Sequence, residues 1–595
     1  MSNFWKILFG SCLGTLFALV AIFFIAFGSI AALSSGGSDD SKTVENNSVI
    51  ELKLSPELQI PEKTNNVSSG GFSLKKKSTV GLSDMLKTLE KAKIDDKIKG
   101  IVLDCEGLMT AATTTLVLRR ALEDFRSSGK FIVSYSKYYA QKDYYLASVS
   151  DKMFVHPAGG IEFRGYGGQL LFFKNMLDKL DIKVQVYYAG QFKSATEPFR
   201  FDKMSEQNRL QTKEYMNGLY QIFLENISKS RNIPVEDLRK YANEMTIRSA
   251  DDAVNYKMID AKGYKDDLQN DIRQRIGLGA KDKIKTVSMS DYYDSVKNDF
   301  ETSEKNKVAV VYCEGNIVEG KGDAGSIGGD KYADMIRKIR QDDNIKAIVV
   351  RMNSGGGSAL ASESVWHELM MAKKEGKKVV CSMGDYAASG GYFIACAADT
   401  IFAEPNTITG SIGVFAMIPS LEKTMKNKIG ITFDTVKTGK FSTGFSLLRD
   451  FSPEEGAFMQ QNVERTYESF LQKVAEGRHK TRDEVHAIAQ GRVWLGTKGK
   501  EIGLVDKIGN LQDAIACAAR MAGLEKYSPK EYPITKEPLQ QFIEDLTNSD
   551  DKQASIKSSL LKSELGEYYD YYMRLEELKN MKGLQMRMLY ELEIK

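Results

Sequence analysis

Residues 379–415 read VVCSMGDYAASGGYFIACAADTIFAEPNTITGSIGVF, and the order of residue types in this stretch decides the fold. A short apolar run passes a Gly-Asp turn, then Ala387-Ala388-Ser389-Gly390-Gly391-Tyr392, then an apolar segment of helical character over 393–398. This predicts a strand, a tight turn and a helix, with Ser389 at the turn. Small neighbours leave its hydroxyl reachable, and the first turn of a helix offers N–H groups that stabilise a developing oxyanion. Ser389 is therefore a candidate nucleophile. The alternative is that it caps the helix while the glycines permit close packing.

Working outward, short apolar runs alternate with amphipathic segments. Strands are predicted over 48–54, 98–104 and 131–135, with helices over 82–93 and 114–126. The same succession returns as strands over 307–313, 345–351 and 378–382, with helices over 330–340 and 359–374. This is an α/β chain with a mostly parallel sheet in each of two repeats. Asp95-Asp96-Lys97-Ile98-Lys99-Gly100-Ile101-Val102 matches Asp342-Asp343-Asn344-Ile345-Lys346-Ala347-Ile348-Val349. At almost the same separation, Tyr144, Ala147, Asp151, Phe154, Pro157 and Gly165 meet Tyr392, Ala395, Asp399, Phe402, Pro405 and Gly413, and Gly190 and Phe192 meet Gly439 and Phe441.

The copies differ where chemistry would sit. Opposite Ser389 the first half carries Gln141, and opposite its Lys193 the second half carries Ser442. One composite site, with a serine from one half and a lysine from the other, would form if the halves face each other. Donors for the oxyanion are expected from Gly356 or Gly357, in the loop Asn353-Ser354-Gly355-Gly356-Gly357-Ser358, together with Gly390. That loop lacks the Gly-Lys-Ser/Thr ending of a phosphate loop. A lysine acts as general base only when neutral, so its pKa must fall from about 10.4 by roughly three units, which burial supplies. Val184, Val186, Tyr187, Tyr188, Phe192, Pro198 and Phe199 suit such burial, whereas Glu197 opposes it unless it points away. Ser354, Ser358, Ser382, Ser411 and Ser442 are read as structural or loop-forming.

Composition narrows the class. A net charge of +3, from 82 basic and 79 acidic residues, leaves no basic excess for nucleic acid. Four histidines show no metal-ligand spacing, and six cysteines without a CxxC read as buried thiols. The expected organisation is a short cytoplasmic stretch (1–6), a transmembrane anchor (7–33) exceeding the roughly 20 residues that span a bilayer, and a Gly/Ser-containing linker (34–45). The first repeat (46–265), a connecting segment (266–306), the second repeat (307–525) and a helical tail (526–595) follow. Lys6 before the anchor and Asp39-Asp40 after it favour an inside amino terminus and an exported body.

With these segments in view, the chain resembles the long, tandem form of the signal peptide peptidase A (protease IV) family, whose fold belongs with the Clp protease and crotonase group. The resemblance rests on Asn353-Ser354-Gly355-Gly356-Gly357-Ser358, on Ala388-Ser389-Gly390-Gly391-Tyr392, on residues 190–199 and on Gly491-Arg492-Val493-Trp494-Leu495-Gly496 with Gly503-Leu504-Val505-Asp506. Gly355 departs from it, since the family often has proline there. The resemblance implies two tandem Clp/crotonase-like α/β domains and a single-pass serine endopeptidase of the bacterial cytoplasmic (inner) membrane. Its body would lie on the periplasmic side, with a dyad of Ser389 (nucleophile) and Lys193 (general base), cleaving signal peptides and other apolar peptides. It also implies a homotetramer that needs neither metal nor nucleotide. A crotonase-like acyl-CoA enzyme and a non-catalytic membrane scaffold are the alternatives.

Overall fold

The structure is a computed structural model that describes residues 44–56, 58, 60–64, 79–300, 302–323, 325–534 and 583–588. Its first half contains β1 (Ser48–Leu54), β2 (Ile98–Cys105), β3 (Phe131–Tyr139), β4 (Lys152–Ile161), β5 (Lys183–Ala189), β6 (Ala261–Lys262) and β7 (Lys285–Ser288). All but β5 form one parallel sheet in the order β6-β4-β3-β2-β1-β7. Its strands are apolar without alternation because both faces are covered. Ile50, Leu103 and Ile132 enter a core on one side, Val49, Val102 and Val133 a second core on the other.

The second half repeats the plan with β8 (Lys307–Glu314), β9 (Asn316–Val318), β10 (Ser326–Gly328), β11 (Ile345–Ser354), β12 (Gly356–Ser358), β13 (Lys378–Ala388), β14 (Thr400–Ala403), β15 (Ile408–Gly410), β16 (Val414–Ser420), β17 (Val493–Leu495), β18 (Lys507–Ile508), β19 (Ser528–Tyr532) and β20 (Gln585–Arg587). Its main sheet runs β17-β15-β13-β11-β8-β19, with β14 and β18 branching from β13. Val311, Ile348 and Val379 pack on one face, Val310, Val349 and Val380 on the other. Ile348 is fully buried, so truncating it to alanine would cost roughly 2–5 kcal/mol.

The helices that matter for the site are α1 (Leu82–Ile94), α2 (Ala112–Arg126), α3 (Gln141–Ala147), α4 (Glu206–Arg231), α5 (Gly329–Gln341), α6 (Ala359–Lys374), α7 (Gly390–Ala395) and α8 (Pro453–Arg478). Equivalent bonds recur across the repeat. The Tyr144 hydroxyl donates to Met258 O at 3.0 Å as Tyr392 does to Leu504 O at 2.8 Å, and Asp151 accepts from Ile132 N as Asp399 accepts from Val379 N.

A third sheet, in the order β10-β9-β12-β20-β16-β5, draws strands from both halves. β5 pairs antiparallel with β16 from Val414↔Ala189 to Ser420↔Lys183, so main-chain hydrogen bonds fix the two halves to each other. Sequence periodicity sees local segments and carries no sign of this pairing.

Two stretches differ from the sequence expectation. The stretch 266–306 supplies β7 to the edge of the first sheet as well as helices. The described parts of the expected helical tail are strands, β19 on the second sheet and β20 in the third, because free sheet edges were available to pair them; the remainder, 535–582 and 589–595, lies outside the described residues. So does the expected anchor over 7–33, and among the described residues no helix is long and apolar enough to cross a membrane.

Candidate active site

Strand β13 delivers the chain to Ser389, which turns sharply into α7 with φ 55° and ψ −116°. Such a conformation in a residue with a Cβ costs on the order of 1–3 kcal/mol and is held by its surroundings. The Ser389 amide donates to Gly410 O at 2.8 Å, and its carbonyl accepts the first bond of the helix from Phe393 N. Its side chain makes no capping bond, which removes the capping alternative. The hydroxyl is directed elsewhere.

It meets the amine of Lys193. Nζ lies 2.7 Å from Ser389 Oγ, 3.0 Å from Ser411 Oγ and 3.1 Å from Ser411 O. Lys193 comes from the first half, three residues after the turn at Gly190 that ends β5. That loop is clamped to the second half. Phe192 N donates to Gln490 O at 2.8 Å, and a Cβ on Gly190 (φ 112°) would stand 2.5 Å from the Gln490 carbonyl carbon. Only glycine fits there. Lys193 is 2 % exposed, and burial pushes its pKa down from 10.5 to about 7. Glu197 does not oppose this. Its carboxylate turns to the start of α4, accepting from Ser205 N and Oγ and from Asn208 Nδ2 at 2.6–3.1 Å.

The glycine loop lies beside α7. A Cβ on Gly356 (φ 103°) would fall 2.7 Å from Gly390 N, and one on Gly390 would fall 3.2 Å from Gly357 N. All five residues read from the sequence, Ser389, Lys193, Gly356, Gly357 and Gly390, are thus brought to one place. One detail differs: Gly356 N donates to Ser354 Oγ at 3.1 Å, so its amide is engaged within its own loop. Ser354 Oγ donates to Gly315 O, Ser358 accepts from Ala361 N at the start of α6, and Ser382 accepts from Arg351. Ser411, which the sequence presents as loop-forming, supplies two of the three oxygens around the lysine amine.

Along the loop lies β20. It pairs antiparallel through Gly356↔Arg587, Gly357↔Met586 and Ser358↔Gln585, and Met588 N donates to Gly355 O at 2.9 Å. An extended segment thus runs along the glycines next to Ser389. A cavity of about 280 Å³ opens between the halves beside it, lined by Lys193, Ser411, Tyr145, Tyr166, Phe223 and Met588 among others. It is mostly apolar. Among the described residues no cluster of His, Cys, Asp and Glu could hold a metal ion.

The first-half counterpart is closed. Gln141 Oε1 accepts from Arg164 N and Gly165 N at 3.0 Å each. The loop amides of Gly107 and Leu108 donate to the Asp143 carboxylate at 2.8 and 2.9 Å.

Residues 124–279 and 371–525 match the family described as Peptidase family S49. Protease 4 of Salmonella typhi is 35 % identical over 79 % of this chain and 76 % of its own, and Protease 4 of Haemophilus influenzae is 34 % identical over 74 % and 72 %. The chloroplastic serine protease SPPA of Arabidopsis thaliana is 29 % identical over 86 % of this chain and 74 % of its own. Among solved structures, a ClpP1 mutant from Listeria monocytogenes aligns with 35 % of this chain at 16 % identity and a TM-score of 0.24.

Proposed function

The chain belongs to peptidase family S49, and from that premise we propose that it is a serine endopeptidase in which Ser389 is the nucleophile and Lys193 the general base. The observation that carries this is the 2.7 Å contact between the lysine amine and the serine hydroxyl. Burial lowers the amine's pKa to about 7, so the neutral form is available near neutral pH, and its lone pair takes the hydroxyl proton as Oγ attacks the peptide carbonyl. Ser411 Oγ and O hold the resulting ammonium, which then gives its proton to the leaving amine. Water repeats the sequence to release the acyl group. The amides of Gly357 and Gly390 are the oxyanion donors, while Gly356, whose amide serves Ser354, leaves room for the substrate backbone.

The substrates are extended peptides with apolar side chains, foremost cleaved signal peptides. β20 supports this reading, since it lies along β12 as a peptide main chain would, and the adjoining cavity is mostly apolar. Residues 7–33 form the anchor that keeps the body on the periplasmic side of the cytoplasmic membrane of a bacterium, where such peptides accumulate.

The working unit is a homo-oligomer, a tetramer. Support comes from the repeat itself. β5 has its counterpart at 432–438, and β16 at 166–172. Val436 is 100 % exposed, and Phe433 and Leu171 are exposed as well. The β5–β16 pairing within the chain is the template for 432–438 of one copy against 166–172 of the next.

The test is an acylating serine probe read by mass spectrometry. Modification mapped to Ser389 and lost in Lys193→Ala is expected. Labelling of another serine, or undiminished labelling of Ser389 in Lys193→Ala, would reject the dyad.

A further inference from the structure

We propose that Asp385 is a positioning residue for the lysine base, acting across the seam between the halves; the inference rests on the dyad reading above. Asp385 sits on β13, four residues before Ser389, inside a bulge. Met352 of β11 faces Met383, yet Ser354 faces Ala387, so Gly384-Asp385-Tyr386 is skipped in the β11 register, although Tyr386 still pairs with Ile408 of β15. Bulges re-aim side chains, and this one, confined to the β11 side, aims a carboxylate out of its own half.

The carboxylate lands on the start of α2 in the other half. Oδ1 accepts from Thr113 N and Thr114 N at 2.9 Å each, and Oδ2 accepts from Thr114 Oγ at 2.7 Å. The α2 N-cap is Ala111, which has no side chain able to cap, so the helix takes its cap from the opposite half. A negative charge at this end is favoured by the helix dipole. Asp385 is only 7 % exposed, where charge-assisted bonds are strong and an abandoned donor is costly. About two turns further along α2, Arg120 pairs with Glu404 of the second half at 2.5 Å. Behind Asp385 stand Glu314, Glu62 and Arg351, the last two bidentately paired.

This bolt bears on the lysine because both line one space. Ala111, Ala112 and Thr113, which the carboxylate secures, wall the same cavity as Lys193, Ser194 and Ser411. Burial is the cause of the lowered Lys193 pKa. If the start of α2 withdraws, water reaches the amine, its proton affinity returns toward that of a solvated lysine, and its contact with Ser389 loosens.

The experiment follows kcat and KM against pH with a quenched apolar peptide, using the full chain and its Asp385→Asn and Asp385→Ala variants. Expected for Asp385→Ala is a fall in kcat of roughly 10–100-fold with little change in KM, and an acidic limb displaced upward by about one pH unit or more. Asp385→Asn keeps an acceptor for the two amides and is expected to fall between. If Asp385→Ala does not fold cooperatively, Asp385→Asn decides alone. An acidic limb unchanged in every folded variant overturns the proposal, even where Tm drops, because lost stability alone would not move it. Should Lys193→Ala retain turnover, the dyad reading itself is lost; if Lys193→Ala is dead while the Asp385 variants keep the native pH limb, only this inference fails.

Discussion

The turns at Gln141 and Ser389 occupy the same place in two copies of one architecture, yet one is sealed by its own side chains and the other holds a serine hydroxyl against a lysine amine. In both, a strand ends, a short helix begins, and a loop from the neighbouring strand brings amide groups alongside. At Ser389 the loop is glycine and the helix opens with Gly390-Gly391, so backbone can close in and a peptide carbonyl can enter. In the first half the residue aligned with Gly391 is Asp143, and its carboxylate already fills the donors of Gly107 and Leu108. A fixed anion sits where a transient one would form. Burial pushes the Asp143 pKa up to about 6 although those amides pull it down, so the seal carries its own electrostatic cost. The lysine loops diverge in the same way. That of the first half is docked on the second half with Lys193 buried, whereas its counterpart at 439–442 is exposed on the surface. The duplication has kept two scaffolds and divided one site between them.

Loss of either Ser389 or Lys193 should have the strongest effect. Lys193→Ala or Ser389→Ala should lower peptide turnover by roughly 10⁴-fold or more, with the circular dichroism spectrum unchanged. Placing a serine in the sealed half, as Gln141→Ser with Ser389→Ala, should restore nothing, and measurable turnover in that double variant would show that Asp143 is no barrier. Next in size is the pH response. On the proposed dyad turnover needs the neutral amine, so log kcat/KM should fall with unit slope below about pH 7 and level off above it. The stability of the fold should respond in the same sense. The unfolded chain holds the lysine proton up to 10.5 and the folded one only to about 7, so stability rises with pH between those values, and Lys193→Met should flatten that rise in chemical denaturation.

A smaller, concentration-dependent effect is expected at the exposed edge. Val436→Lys puts a charge where a second copy would pair, and light scattering should report a smaller particle. The smallest belongs to the seal. Because Asp143 binds its proton more tightly folded than unfolded, its contribution to stability is present below about pH 4 and lost as pH rises through about 6. Asp143→Asn should remove that dependence from Tm and leave kcat unaltered.

Much of the architecture was open to reading because it is local or periodic. Apolar runs such as 345–351 and the recurrence of Tyr144 as Tyr392 follow from strand chemistry and duplication. Ser389 and Lys193 were visible through contrast, each being what the other copy lacks. What escaped depends on contacts between distant segments. Ser411 reaches the lysine across 218 positions, and nothing near it marks that encounter. Glu197 is close in sequence to the lysine, but Ser205 and Asn208, eight and eleven positions on, claim its carboxylate. Asp385 read as a turn residue, although a bulge sends it over to α2. Gly356 was read as a donor from its company, yet a serine two residues back takes its amide. β20 was hidden because a three-residue strand is defined by its partner.

The β5–β16 pairing has a consequence for biosynthesis. The lysine-bearing portion leaves the ribosome first, and the partners that enclose its amine, Ser411 and the 490–491 segment, are made only later. On the proposed dyad, a nascent chain therefore has no assembled site to turn on itself or on its neighbours. Hydrolytic capacity arrives only with completion of the second copy.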